Sequence, residues 1–93
     1  MSVLCYNCRG LGEPPTVGNL RSLLRRRSPR VVFLSETKKR RMEMCAIMAK
    51  LGDYQGVFED CMGRSGGLAM LWHHSLKVSL LSQSFHHIDI VVE

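Results

Sequence analysis

An α/β domain is the fold class this sequence predicts, and three observations predict it. The run VVFL at positions 31–34, four consecutive apolar residues shortly after Pro29, suits a strand covered on both faces. Ahead of it Val17, Leu20, Leu23 and Leu24 recur at helical spacing. From Tyr54 onward the pattern turns into short strand-like stretches broken by glycine and polar residues.

The elements follow in order. Val3 to Tyr6 read as a first strand, stopped by Asn7, Arg9 and two glycines. After Pro14 and Pro15, Thr16 is placed to cap a helix whose apolar face holds Val17, Leu20, Leu23 and Leu24, with Arg21 and Arg25 outward. Ser28 before Pro29 ends it, because the residue preceding a proline is pushed out of the helical region. Val31 to Leu34 form the second strand. A second helix runs from about Arg40 to Leu51, with Met42, Cys45, Ala46 and Ala49 on its packed stripe, its methionines filling gaps in the core and Gly52 as its stop. Four further strands are expected at Tyr54–Glu59, Gly67–Trp72, Lys77–Ser82 and His87–Val92. In the second of these Leu68, Met70 and Trp72 alternate onto one face. Asp60 to Gly66 is the loop between the first two; its GRSGG string lacks the Lys-Ser/Thr and the following helix of a phosphate-binding P-loop, so a turn is expected.

At 93 residues with 45% hydrophobic content, the chain can hold one small domain rather than a disordered tail. No run approaches the roughly 18 apolar residues of a membrane span, and polar residues follow Met1–Leu4 too soon for a secretory signal. A nuclear or cytoplasmic, non-secreted setting is expected. The net charge is +5, and its distribution says more: nine of the thirteen cations lie between Arg21 and Arg41, with Glu36 the only acid among them. Such a block attracts polyanions and gives salt-sensitive nucleic-acid binding. It is also what a solvated helix face followed by a basic loop looks like.

Glu36 stands at the mouth of the second strand, directly before Lys38, Lys39, Arg40 and Arg41. A carboxylate there suits a divalent cation, since hard oxygen ligands hold Mg²⁺ while phosphate oxygens fill other positions. The competing reading is a solvated ion pair with Lys38 or Lys39. Cysteine and histidine counting offers a rival chemistry, because Cys5 and Cys8 form a Cys-x-x-Cys that Cys45, Cys61 or the pairs His73–His74 and His86–His87 could complete as a zinc site. Residues three apart on a strand face opposite sides, and adjacent histidines chelate poorly for the same reason, so free thiols are expected instead.

Three strings, NCRGLG at the first strand end, LSETK at the second and GRSGGLAMLW at the later hairpin, together resemble the amino-terminal half of the endonuclease/exonuclease/phosphatase (DNase-I-like) superfamily. The nearest pattern is the apurinic-endonuclease-like domain of plant LINE retrotransposons. The family's Asn-x-Arg-Gly is matched by Asn7, Arg9 and Gly10, and its metal-binding Glu-Thr by Glu36 and Thr37. The resemblance implies a partial four-layer α/β/β/α sandwich and Mg²⁺-dependent phosphodiester hydrolysis on DNA. It gives Glu36 the metal, Asn7 an orienting role in catalysis, and Arg9 with Lys38, Lys39, Arg40 and Arg41 the nucleic-acid backbone. The family's Asp-x-Asn and Ser-Asp-His motifs do not occur in these 93 residues. The expectation is therefore a truncated domain with weak or no Mg²⁺ binding and no activity alone, its open sheet prone to self-association or awaiting a carboxy-terminal half. A non-catalytic nucleic-acid-binding remnant and a protein-interaction fragment are the alternatives.

Overall fold

The computed structural model describes residues 2–12 and 14–93. Its elements run β1 (Val3–Asn7), α1 (Pro14–Arg27), β2 (Val31–Ser35), α2 (Arg41–Leu51), β3 (Tyr54–Met62), β4 (Ser65–His73), β5 (Val78–Ser84) and β6 (His87–Val92). The expected alternation of strand and helix followed by strands is what the chain forms. β1, β2, β4 and β3 make one sheet in that spatial order, and β5 and β6 make a separate two-stranded one. β1 and β2 are parallel neighbours, which requires a crossover, and α1 supplies it. The two remaining pairings of the large sheet are antiparallel.

Both helices cover one face of the large sheet. Val17, Leu20 and Leu24 of α1 and Met44, Ile47 and Leu51 of α2 share one buried cluster with Val32, Leu34, Phe58, Ala69 and Leu71 of the strands. The register explains the choice of face: Leu4 pairs with Val32, Val32 with Leu71, and Leu71 with Gly56, so these positions point the same way across four strands. Gly56 lies under this layer because a Cβ there would meet Leu71 Cδ2 at 2.6 Å and the Met70 carbonyl at 2.9 Å.

The first helix departs from expectation at its start. It begins at Pro14, three residues early, so Thr16 lies inside the first turn rather than capping it. Proline is favoured there because the first helical N–H groups have no partner to lose. At the other end Ser28 takes a left-handed φ of 45° and its N–H reaches the Leu24 carbonyl at 2.8 Å, closing the helix just before Pro29.

The second helix presents a different stripe from the one expected. Met44, Ile47 and Leu51 are buried, whereas Met42 is 86% exposed and Cys45, Ala46 and Ala49 face outward. Its sequence is apolar nearly all round, so periodicity alone could not choose a face. The larger Ile47 and Leu51 win burial over small alanines, because each buried CH₂ is worth about 0.8 kcal/mol. Met44 does fill the core, as expected of the methionines, and Met42 does not.

On the far side of the sheet Leu68 is buried, but Phe33, Val57, Met70 and Trp72 are only half-buried and Val3 is 60% exposed. Leu68, Met70 and Trp72 share this face as expected, while Ala69 and Leu71 point to the helices. The β5–β6 hairpin guards one edge of the sheet. Gln83 Nε2 donates to the Phe58 carbonyl of edge strand β3 at 3.0 Å and to Glu59 Oε2 at 2.7 Å. A side-chain amide thus occupies a backbone acceptor that another chain could otherwise pair with.

The turn between β3 and β4 is tighter than the seven-residue loop expected: the strands run on to Met62 and from Ser65, leaving Gly63 and Arg64 as the turn. Gly66 and Gly67 belong to β4 and serve another purpose. At Gly67, φ is +90°, and an added Cβ would collide with Thr37 Oγ1 and sit 3.0 Å from the Lys38 nitrogen. Gly67→Ala therefore combines left-handed strain with overpacking, each costing about 1–3 kcal/mol. We expect a stability loss of about 2–4 kcal/mol in urea denaturation, and a loss under 1 kcal/mol would show that the Thr37 loop yields freely.

Candidate functional site

The carboxyl ends of the adjacent parallel strands β1 and β2 bring the candidate residues together. Asn7 is the last residue of β1 and registers with Ser35, the last of β2, so Glu36 follows at the same end of the sheet. In sheets of this kind, ligands sit outside the carboxyl ends of the strands.

Hydrogen bonding does not stop where the strands do. Cys8 N–H donates to the Ser35 carbonyl at 2.9 Å, Gly10 N–H to Glu36 at 2.8 Å and Leu11 N–H to Thr37 at 2.9 Å. On its other side the same loop is tied to β4, with Thr37 N–H donating to Gly67 at 3.1 Å and Lys38 N–H to Gly66 at 2.9 Å. Cys61 N–H then reaches Lys39 at 3.0 Å. Keeping this ladder requires left-handed backbone at Arg9 (φ 49°), Glu36 (φ 50°) and Lys38 (φ 55°), which costs non-glycine residues about 1–2 kcal/mol each. Left-handed non-glycine residues of this kind gather where function over-determines the backbone.

Thr37 is the residue that sequence reading passed over as a mere partner of Glu36. It is wholly buried and its Oγ1 accepts from Lys39 N–H at 3.3 Å. The two consecutive glycines were its signal, since glycine within a strand marks a close backbone approach.

Around this loop the charged groups divide by their partners. The Glu36 side chain is exposed and makes no ion pair among the described residues; the expected competitor, Lys39, instead pairs with Glu43 at 3.3 Å. Glu43 also accepts from Arg40 N–H at 3.1 Å, and this backbone bond first, then Lys39, holds its carboxyl below the usual carboxylate range. Arg41 N–H donates to Asp60 Oδ1 at 2.7 Å, so Asp60 satisfies the start of α2. Arg9, Lys38, Arg40 and Arg41 are exposed, leaving four cations near the loop with free head groups among the described residues. Asn7 Oδ1 accepts from Arg9 N–H at 3.1 Å. That bond fixes the orientation of the amide, whose oxygen is the acceptor.

The donor set is short. Among the described residues no group of three or more His, Cys, Asp or Glu side chains could hold a metal ion, which leaves Glu36 as a single carboxylate. The four cysteines are free thiols, with Cys5 and Cys45 exposed and Cys8 and Cys61 buried.

Burial pushes the Cys8 thiol up to about 12. Because the folded value lies above the ordinary 9.0, its stabilising effect is complete below pH 9 and is lost as pH rises toward 12. The unfolding free energy is expected to fall over that window, by at most about 1.4 kcal/mol per pH unit, and Cys8→Ala should remove the slope. A variant with the same alkaline slope would assign it to another group. Strain gives a second expectation: Glu36→Gly should be about 1 kcal/mol more stable than Glu36→Ala, as only glycine takes a φ of 50° without cost. Equal stabilities would mean that the loop relaxes.

No protein-family model matches this sequence, and no curated protein matches it. Among solved structures the chain is similar to the AP endonuclease LMAP from Leishmania major, with a TM-score of 0.61 and 23% identity. The match covers 84% of this chain and 26% of that one, so the chain spans about a quarter of that structure's length. The similarity establishes the α/β fold. No helix of the described residues is long and apolar enough to cross a membrane.

Proposed function

We propose that this chain carries one part of a DNA endonuclease-like phosphodiesterase centre, with Glu36 as its metal carboxylate and Asn7 as its phosphate-orienting amide. The observation that carries the reading is the placement of these two residues at the carboxyl ends of adjacent parallel strands, beside a left-handed loop that carries exposed cations. The fold shared with an AP endonuclease supports it. So do the strings NCRGLG, LSETK and GRSGGLAMLW, which also favour a retrotransposon origin.

One carboxylate beside a neutral amide suits Mg²⁺, which commonly takes one or two protein carboxylates and keeps its remaining positions for water and phosphate. When bound, the ion would polarise a phosphoryl oxygen as a Lewis acid. The chain's own residues do the positioning. Asn7 offers its NH₂ to a phosphate oxygen while Arg9 locks its carbonyl. Arg9, Lys38, Arg40 and Arg41 present charge to a backbone, each free of an acidic partner among the described residues. Lys39 contributes less, because Glu43 already neutralises it. A water-activating base is not among the groups gathered at the loop, so the centre needs further donors and these 93 residues alone leave DNA intact.

Two measurements check the reading. Supercoiled plasmid with Mg²⁺ should remain un-nicked by the purified chain, and nicking abolished by Glu36→Ala would overturn the incompleteness of the centre. Replacing Lys38, Arg40 and Arg41 by Ala should flatten the salt dependence of duplex binding by about 0.9 per lost phosphate contact, up to roughly three units. Lys39→Ala should change the slope by much less. Equal slopes for the wild type and the triple variant would remove the loop from the DNA interface.

A further inference from the structure

We infer that the opposite end of the sheet holds a second anion site, a cleft built to take a phosphate-bearing ligand and formed where the C-terminal ends of α1 and α2 meet the start of β3 and the end of β4. Its volume is about 480 Å³, within the range of about 300–1,000 Å³ typical of small-ligand sites. Three elements converge on it with positive charge. Arg21 and Arg25 come from α1, Arg30 from the link to β2 and Lys50 from the last turn of α2, with Asp53 the one acid on the wall. None of these four cations makes an ion pair among the described residues, although Asp53 lines the same concavity.

Basic residues at helix C-termini favour the helix dipole, which accounts for Lys50 and for the arginine run ending α1. It does not account for their convergence. Arg21 and Arg25 are one helical turn apart, where like charges repel by a few tenths of a kcal/mol unless an anion lies between them. Arg26 and Arg27, nearer the helix end and equally exposed, do not line the cleft.

The wall is also held in place. Arg30 Nη2 donates to Ser75 Oγ at 3.0 Å, and Ser75 Oγ is bonded to His73 Nδ1 at 2.7 Å. Tyr54 O–H donates to the Pro29 carbonyl at 2.7 Å, fixing its ring in the cleft edge-on to His73. Buried Leu24 and Leu51 also line the cleft. Guanidinium forks match phosphate oxygens in geometry as well as charge. The ligand is a compact polyphosphate or a nucleic-acid backbone phosphate, and both present the same chemistry.

Calorimetric titration of the whole chain with inorganic tripolyphosphate decides the matter. Saturable binding is expected, weakened about tenfold or more in the Arg21→Ala/Arg25→Ala variant. Arg26→Ala/Arg27→Ala removes the same charge outside the cleft and should leave the affinity within about twofold, since distant exposed charges are screened. All four positions are exposed on a helix, so both variants should fold, which circular dichroism checks. Absence of saturable binding, or equal weakening by the two variants, overturns the site. Competition between tripolyphosphate and a duplex oligonucleotide assigns the cleft to a nucleic-acid phosphate, and its absence to a free polyphosphate. Glu36→Ala should leave tripolyphosphate binding unchanged, which separates this cleft from the proposed phosphodiesterase centre.

Discussion

The structure depends on the seam in which the segment Glu36–Lys39 is held between the β1 loop and β4. The parallel ladder of β1 and β2 continues past the last strand residues through Cys8, Gly10 and Leu11, while Thr37 and Lys38 bond to Gly67 and Gly66 on the other side. Thr37 can be wholly buried because its Oγ1 is satisfied from Lys39 and because Gly67 leaves room for it. Without that space the loop would be driven off the sheet, and Glu36 with it.

Burial and strain are divided between neighbouring residues in a consistent way. Thr37 anchors, and the residues on either side take left-handed backbone so that Glu36 and Lys38 project outward. Lys39 then turns back to Glu43 and Arg41 N–H to Asp60, which fixes where α2 begins. One six-residue stretch thus ends a strand, exposes a carboxylate and starts a helix. The energetic cost of two left-handed side chains is offset by backbone bonds that a relaxed loop would leave to water.

The two ends of the large sheet differ in chemistry. At the carboxyl ends of β1 and β2, exposed cations share a loop region with one carboxylate that makes no ion pair among the described residues. At the far end, cations from three elements line a single concavity. The arginine-rich helix therefore serves neither as a uniform solvated face nor as part of the Glu36 site: Arg21 and Arg25 turn to the cleft, while Arg26 and Arg27 turn away from it.

Much of this was legible from the chain itself. Strand and helix order, the stop at Pro29, the buried VVFL strand, and the position of Asn7 and Glu36 at strand ends follow from local patterns whose physics is local. Tertiary structure decided what local pattern leaves degenerate. The face of α2 was one such case, because a helix apolar all round buries whichever stripe its neighbours accept, and here that is Met44, Ile47 and Leu51. The partner of Lys39 was another, since Glu36 and Glu43 lie within reach in sequence and only the helix start brings Glu43 to it. The purpose of Gly66 and Gly67, and the gathering of Arg21, Arg25, Arg30 and Lys50 around one cleft, depend on contacts between residues far apart in the chain, which no spacing along it encodes.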